Sequence, residues 1–389
     1  MIEYWLWLST REQIGIKGAL ALLDAFGSPE EIFFADSETL KNTAGVSPTM
    51  LPALLDKNLL SSKQILSSCY EKNIRILTLQ DNDYPSALRA IDDPPLLLYC
   101  LGKLPYLEDR PVIGIVGARN ASAYGCASAE RLGYQLHSGG CTIISGMAAG
   151  IDSAAMRGAL KAGDRVIAVL GCGVDVVYPR SGKELYRELL TRGCILSEYP
   201  PGTAPLAANF PPRNRIISGL SDGVLVVEAA KKSGSLITAE CALAQNRDLF
   251  AVPGNIGVAT CEGSNRLLQE GAALVQSSSD ILDTYRYRYP ETVYQEEPPR
   301  AETTAEKLID IDKSIIYIDF NKITKEVSED GAAVLRVLGT KELTLDELCA
   351  ETELPAGKLL GTLTLLEIKG YLEHCAGSRY RVRRQSDEN

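Results

Sequence analysis

Short apolar runs alternate with longer helical patterns across the middle of the chain. We predict strands at Val112–Val116, Thr142–Ser145, Val166–Leu170, Ile195–Ser197, Val224–Val227, Leu249–Val252 and Ala273–Val275. Wholly apolar runs of this length are typical of strands buried on both faces of a parallel sheet. Since segments with helical periodicity separate most of them, we predict an α/β fold with a doubly wound, mostly parallel sheet.

Different patterns flank this region. Residues 1–70 read as short helices interrupted by glycine-containing turns, which predicts a small helical domain similar to SAM or helix-hairpin-helix modules. Two predicted strands, Ile74–Leu79 and Leu96–Tyr99, enclose proline-fixed turns, and we expect them to form an extra layer at the edge of the sheet. The central domain then spans residues 71–285.

The end of the chain has the order of a winged helix. After a Tyr-, Glu- and Pro-rich linker over 286–329, the predicted domain at 330–385 contains helices at Ala332–Leu338, Thr344–Glu351 and Ala356–Lys369 and a two-stranded wing around Gly377. The third helix offers only Lys358 and Lys369 as bases. A protein-contact module and a weak DNA-binding module therefore both remain open.

Composition narrows the function. The 389 residues are 45% hydrophobic and 23% charged, and no apolar run approaches the roughly 20 residues of a membrane helix, so we expect a cytoplasmic protein without membrane contact. Ten cysteines form no Cys-x-x-Cys pair, and two histidines give little material for a metal site or a Ser-His-Asp triad. We predict no metal, cofactor or catalytic residue.

Charge points to the centre of the chain. The net charge of −10 argues against coating duplex DNA by a bulk positive field. Between residues 110 and 283, however, 16 Lys and Arg nearly match 15 Asp and Glu. The central domain is therefore the stronger candidate for binding an anion.

The segment Asn209–Ser218 combines two arginines and a phenylalanine at a predicted helix start. A helix start offers unpaired N–H groups, Arg213 and Arg215 add forked donors, and Phe210 adds a flat apolar face. These are the parts of a phosphate and base site.

Four other predicted strand ends carry glycine, serine or basic residues. The candidate binding residues, with those of the helix start, are Gly117, Arg119, Ser145, Gly146, Arg180, Asn209, Phe210, Arg213, Asn214, Arg215, Lys231, Ser233, Gly234 and Ser235. Glycine after the first strand would let a phosphate approach the backbone, with Arg119 closing over it. The spacing is not that of the dinucleotide fingerprint or a Walker loop. Because strand ends of a parallel sheet share one edge, we predict a groove that binds several phosphates.

These motifs, in this order, resemble the DNA-processing protein A family (DprA, also called Smf). The resemblance is carried over residues 80–285 by Asp81-Asn-Asp-Tyr-Pro85, Gly117-Ala-Arg119, Ser145-Gly-Met-Ala-Ala-Gly-Ile-Asp152, Gly171-Cys-Gly-Val-Asp175 with Tyr178-Pro179, Phe210-Pro-Pro-Arg-Asn-Arg215, Ser233-Gly-Ser235 and Val252-Pro-Gly254.

The resemblance implies an extended Rossmann-like domain that binds and protects single-stranded DNA and helps to load the RecA recombinase during natural transformation. It also implies a homodimer without catalytic turnover. By motif, Arg119 would clamp a backbone phosphate, and Ser145 and Gly146 would line the pocket. Arg180, Arg213 and Arg215 would flank the groove, and Phe210 would stack a base or pack under its loop.

Two other functions compete. Gly234–Glu240 shares the glycine-to-glutamate spacing of LOG or lysine-decarboxylase-like nucleoside-monophosphate hydrolases, but the proline and two of the three glycines of their Pro-Gly-Gly-x-Gly-Thr-x-x-Glu motif are missing, and Thr238 is displaced by one position. A nucleotide-sensing regulator would use the same pocket for one small ligand. Full competition by a mononucleotide would identify either alternative.

Overall fold

The computed structural model describes residues 1–11, 13–293, 329–338, 343–352, 354–375 and 379–382. The chain divides into two compact units, Met1–Glu297 and Pro298–Asn389. Within the described residues, no helix has the length and apolar character needed to cross a bilayer.

Six short helices precede the sheet, in agreement with the predicted helical pattern. They are α1 Ile2–Ser9, α2 Gly15–Phe26, α3 Pro29–Phe34, α4 Ser37–Asn42, α5 Leu51–Leu55 and α6 Leu60–Glu71. Ser28 and Asp36 cap α3 and α4 by accepting hydrogen bonds from first-turn N–H groups. Trp7 is fully buried, and its indole N–H donates to the Asp56 carbonyl at 2.8 Å. The core of this region is thus tied to the loop after α5.

One nine-stranded sheet organises the first unit. Its strands are β1 Arg75–Thr78, β2 Leu97–Gly102, β3 Val112–Val116, β4 Thr142–Ser145, β5 Val166–Val169, β6 Cys194–Ser197, β7 Gly223–Val226, β8 Asp248–Ala251 and β9 Ala273–Leu274. Their spatial order is β1-β2-β6-β5-β4-β3-β7-β8-β9, and the seven strands from β3 onwards are all parallel. The predicted doubly wound parallel sheet is confirmed.

The two predicted strands before this parallel set lie at the edge of the sheet, as expected, but they extend its plane and do not form an extra layer. β2 pairs antiparallel with β6, for example Cys100 with Leu196, and β1 pairs antiparallel with β2. An unpaired edge at β6 would leave a row of backbone donors and acceptors without partners, and in-plane extension of the sheet satisfies them.

Helices cover both faces of the sheet. They are α7 Ser86–Arg89, α8 Ala123–Ser138, α9 Ile151–Ala162, α10 Lys183–Arg192, α11 Phe210–Leu220, α12 Gly234–Ala244, α13 Glu262–Gln269 and α14 Ser279–Tyr285. Alternate residues of β3 belong to different apolar clusters: Ile113 and Ile115 pack with residues of α8 and α9, and Val112 and Val116 with residues of α11 and α12. This period of two is what burial on both faces requires.

The first residues of the predicted linker pack against the amino ends of the strands. Arg288 forms an ion pair of 2.8 Å with Asp222, just before β7, and the Tyr289 hydroxyl donates to the same carboxylate at 3.2 Å. Tyr285 donates to Asp248 at 2.9 Å. The folded region therefore continues to at least residue 293, and the rest of the predicted linker, 294–328, lies outside the described residues.

The second unit has the predicted winged-helix order. It contains α15 Glu329–Leu338, β10 Leu343–Thr344, α16 Leu345–Thr352, α17 Ala356–Ile368, β11 Leu372–Cys375 and β12 Arg379–Val382. The sheet has three strands in the order β10-β12-β11, so the expectation of a two-stranded wing missed β10. On α17, Lys358 pairs with Asp330 at 2.7 Å. One of the two bases expected on the third helix is thus engaged within its own unit.

Candidate nucleic-acid interface

A cleft opens at the carboxyl ends of β3 and β7. The neighbouring strands β5, β4, β3 and β7 are those whose ends were predicted to converge, and this adjacency is confirmed. β4, the next strand in sequence after β3, lies on one side of β3, and β7 lies on the other side. The direction in which strands are added to the sheet therefore reverses at β3. Sheets of α/β proteins bind ligands at such switch points.

The cleft measures about 660 Å³. Its lining comprises Val116, Gly117, Ala118, Arg119, Asn120, Ala148, Asp152, Tyr178, Pro205, Ala207, Phe210, Pro211, Arg213, Asn214, Ile217, Ala230, Lys232, Ser233, Gly234, Ser235, Ile237, Thr238 and Thr260. The β3–α8 turn, the β7–α12 turn and the start of α11 supply most of these residues, so three separate parts of the sequence meet here.

Two guanidinium groups and a tyrosine ring surround Phe210. The guanidinium carbon of Arg119 lies 5.2 Å from the Phe210 ring centroid, and that of Arg213 lies 5.8 Å from it. The Tyr178 ring lies 5.5 Å away, tilted by 37°. Arg119 is exposed and Phe210 is half-buried. The cleft therefore presents a cationic group next to a partly accessible aromatic face, and the same ring also packs against Tyr178.

Arg213 lies at the bottom of the cleft and is only 4% exposed. Its Nη1 donates to the Val169 carbonyl at the end of β5, while its Nε–H has no hydrogen-bond partner among the described residues. Burial lowers the pKa of this guanidinium, and the neighbouring Asp152 carboxylate opposes that effect. A buried cation with an unused donor is a group that an anionic ligand would stabilise.

Asp152 lies in the first turn of α9 and is likewise buried. It accepts the N–H groups of Gly146 at 3.2 Å and Ala148 at 3.4 Å. Burial raises its pKa, and Arg213 lowers it. The carboxylate thus orders the β4–α9 turn and partly balances the charge of Arg213.

The start of α12 is a better anion site than the start of α11. Pro211 and Pro212 occupy the first turn of α11 and have no N–H, so that helix offers fewer donors than the sequence-based interpretation assumed. At α12, Gly234 is exposed, and the Ser233 hydroxyl accepts the Ser235 N–H at 3.4 Å. The Asn214 side-chain amide donates to the Gly234 carbonyl at 3.2 Å and joins the two helix starts.

The structure does not bring Ser145 into the cleft, so the prediction that it lines the pocket is wrong. Its side chain is fully buried, and its hydroxyl donates to the Ile115 carbonyl at 2.6 Å. Gly146 lies beneath Arg213, where a Cβ atom would stand 2.1 Å from the guanidinium. Glycine at this position provides the space in which Arg213 is buried.

Arg215 does not flank the groove, contrary to expectation. Its guanidinium forms a two-point ion pair with Glu198, at 3.1 and 2.8 Å, and its Nε lies 3.1 Å from the Asp93 carboxylate. Successive helical residues are rotated by about 100°, so two positions after Arg213 the side chain points to the other side of α11. Arg215 therefore holds α11 to the preceding loops.

Three further candidates lie beside the cleft rather than in its lining. Arg180 and Lys231 are exposed, and Asn209 is half-buried just before α11. The structure instead places Lys232, Asn120 and Tyr178 in the lining, all missed as site residues. Only their position in the sequence could have indicated these residues: Asn120 follows Gly117-Ala-Arg119, Lys232 precedes Ser233-Gly-Ser235, and Tyr178 belongs to Tyr178-Pro179.

The start of α8 holds a carboxylate where the sequence predicted room for a phosphate. Glu228, two residues after the end of β7, reaches across to Ser122, the residue that caps α8. The glycine-rich turn after β3 therefore supports Arg119 but is closed to an anion by the chain itself.

Comparisons with known proteins match both units of the chain. The family model for DNA recombination-mediator protein A matches residues 75–286, and that for the DprA winged helix domain matches residues 321–378. The Synechocystis protein Smf is 33% identical over 400 residues, covering 98% of each chain.

Two solved structures are similar. The crystal structure of DNA processing protein A from Streptococcus pneumoniae has a TM-score of 0.63 and 34% identity, covering 73% of this chain and 98% of that one. The protein of the same name from Helicobacter pylori, described for its single-stranded DNA binding mode, has a TM-score of 0.51 and 30% identity, covering 56% and 99%.

Proposed function

This chain belongs to the DNA recombination-mediator protein A family, and on that premise we propose that its cleft binds single-stranded DNA. The observation that carries the proposal is the cluster in which Arg119 and Arg213 both lie within 6 Å of the Phe210 ring at the sheet's switch point. Binding of a strand without reading its sequence requires cations for the backbone and an aromatic face for the bases.

Each part of the cleft has a role in this proposal. Arg119 binds a backbone phosphate through its forked donors, Lys232 and the start of α12 hold the next phosphate, and Arg213 adds fixed positive charge from below. Phe210 stacks a base. Because stacking uses the face common to all bases, little sequence preference is expected.

The hydrolase alternative has less support in the geometry. Glu240, the glutamate that would act on a glycosidic bond, is exposed on α12 and does not belong to the lining of the cleft. The carboxylate that does line it, Asp152, is engaged by two backbone N–H groups. We therefore propose binding without turnover, and we keep AMP as a competitor in the test.

We further propose that the bound strand is protected and then passed to the RecA recombinase. The family name, a recombination mediator, supports this role. The test is RecA filament formation on a strand coated with single-strand binding protein, followed by RecA-dependent ATP hydrolysis. The native chain should shorten the lag, and Arg119→Ala should not. An unchanged lag with the native chain would remove RecA loading from the proposal and leave strand binding in place.

A homodimer is proposed through the end of the sheet near β9. Ile256, in the segment that joins β8 to β9, is 100% exposed, and Leu274, on the edge strand β9, is 50% exposed. Exposed apolar residues at an open sheet edge favour association. In sedimentation velocity, the native chain should be a dimer and Ile256→Glu a monomer, while Tyr287→Glu, at another exposed site, should remain dimeric. A monomeric native chain would contradict the proposal.

Strand binding is tested with a fluorescent oligothymidine of about 30 nucleotides, longer than a single binding site. Arg119→Ala should weaken binding by about tenfold or more, the size of one charge-assisted contact. Arg131→Ala, an exposed arginine on α8 outside the cleft, is the matched control and should bind like the native chain. Displacement of the strand by AMP, or equal affinities for the two variants, would contradict the proposal.

A further inference from the structure

A buried carboxylate seals the start of α8. Glu228 is 2% exposed, and its Oε2 accepts the Ser122 hydroxyl at 2.7 Å and the Ser122 N–H at 3.1 Å. Its Oε1 lies 3.2 Å from the same nitrogen. The Ser122 hydroxyl oxygen accepts the Gly125 N–H at 2.9 Å, which completes the cap of the helix. Glutamate and serine together thus satisfy donors that an anionic ligand would otherwise use.

The neighbouring backbone is shaped around this carboxylate. A Cβ atom on Gly125, in the first turn of α8, would lie 1.9 Å from Glu228 Oε2. A Cβ on Gly117 would lie 2.9 Å from the Glu228 carbonyl oxygen, which accepts the Ala118 N–H at 2.7 Å. Glycine at both positions lets the residues after β7 approach the β3–α8 turn closely, so the Glu228 carboxylate packs as an integral part of that turn.

The start of α8 corresponds to a common phosphate-binding position in doubly wound sheets. The helix after the first strand is where dinucleotide-binding proteins hold a pyrophosphate, because free N–H groups and the helix dipole favour negative charge there. In this chain, Glu228 supplies that negative charge internally. A free phosphate group entering the turn would have to displace the carboxylate or be buried beside it, and like charges at such a distance repel strongly.

We propose that Glu228 is a specificity-determining residue that excludes the terminal phosphate groups of free nucleotides from the cleft and so reserves it for a polynucleotide strand. The proposal rests on the strand-binding function. A phosphodiester carries one charge and meets the exposed Arg119 and Lys232, whereas a nucleotide's terminal phosphates concentrate charge and need a closed turn of N–H groups. Because Glu228 occupies the turn at the start of α8, a terminal phosphate cannot bind there, and Arg119 stays free to bind a phosphodiester.

The test compares the native chain with Glu228→Gln, which removes the charge at nearly constant shape, and with Ser122→Ala, which removes the two hydrogen bonds of the serine hydroxyl but keeps the charge. Glu240→Gln, an exposed glutamate on α12, is the control for charge alone. Inorganic pyrophosphate is titrated against each protein, with the melting temperature and the displacement of oligothymidine as readouts.

Glu228→Gln should bind pyrophosphate about tenfold more tightly than the native chain, since the start of α8 can then stabilise an external anion through its N–H groups and its dipole. Ser122→Ala and Glu240→Gln should respond like the native chain. Stabilisation of the native chain equal to that of Glu228→Gln, no response from folded Glu228→Gln, or a response from Ser122→Ala equal to that of Glu228→Gln would each overturn the proposal.

If Glu228→Gln does not fold, the native chain and Ser122→Ala still test the proposal, because tight binding of pyrophosphate by either protein would overturn it. Melting curves recorded without oligothymidine keep this result separate from strand binding. A native chain that ignores pyrophosphate and also fails to bind oligothymidine would remove the proposed function, while a native chain that binds both would remove only the role of Glu228.

Discussion

The guanidinium of Arg119 lies 5.2 Å from the ring centroid of Phe210, although the two residues come from different turns of the sheet. Arg119 is exposed, and the ring of Phe210 packs against that of Tyr178. The pair therefore combines the long, exposed side chain of Arg119 with a Phe210 ring that is held by packing. A strand that binds Arg119 through phosphate would bring its bases next to the ring.

Phe210→Leu should weaken oligothymidine binding by about 1 to 3 kcal/mol, because leucine keeps the apolar packing but lacks a flat face for stacking. Phe210→Tyr retains the ring and should bind within about threefold of the native chain. Both are measured by fluorescence anisotropy, with melting temperatures to confirm folding. Equal affinity for Leu and Phe would show that the ring serves only to pack the loop.

Arg215→Ala should lower the free energy of unfolding by about 3 kcal/mol, because it leaves the carboxylate of Glu198 without its two-point partner in a largely buried position. Urea unfolding measures the loss. The folded variant should keep the native salt dependence of strand binding. A stable variant with weakened, less salt-sensitive binding would restore Arg215 to the DNA site.

Lys232→Ala should reduce the slope of log affinity against log salt concentration by about 0.7, the value for one phosphate contact on a single strand. Lys63→Ala, exposed on α6, should leave the slope unchanged. The same titration of Lys231→Ala determines whether the binding path extends beyond the cleft lining. A native slope in Lys232→Ala would exclude a phosphate contact at this position.

Stability should fall in mild acid through His137. This side chain is 4% exposed and its Nε2 accepts the Arg165 N–H at 3.2 Å; burial, with Arg165 nearby, lowers its pKa from 6.5 to about 4. The unfolded chain therefore binds a proton that the folded chain does not between these values. The stabilising effect is complete above pH 6.5 and is lost as the pH falls towards 4, by roughly 3 kcal/mol.

His137→Gln isolates this effect, since glutamine does not titrate. The difference in unfolding free energy between native and variant, measured by urea unfolding from pH 7.5 to 4.5, should change with pH mainly below 6.5. A difference that stays constant over this range would show that His137 binds a proton equally well in the folded and the unfolded chain.

Much of the fold was predictable because it depends on local pattern. Apolar runs with helical segments between them left few alternatives to a parallel sheet, since such strands need cover on both faces. The helices and wing of the second unit follow from the same kind of periodicity. The sequence predicted the strands β1 and β2. Their pairing with β6 depends on which edge strand lacks a partner, and the local sequence pattern does not determine that.

The site divides in the same way. The sequence by itself placed Arg119, Phe210, Arg213 and the Ser233–Ser235 turn at strand ends and helix starts, and the parallel topology then required those ends to meet. Only the tertiary structure separated Arg213 from Arg215, because rotation along α11 sends one to the cleft and the other to Glu198. It alone joined Glu228 to Ser122 across two strands, since a contact between distant segments depends on how the sheet assembles them.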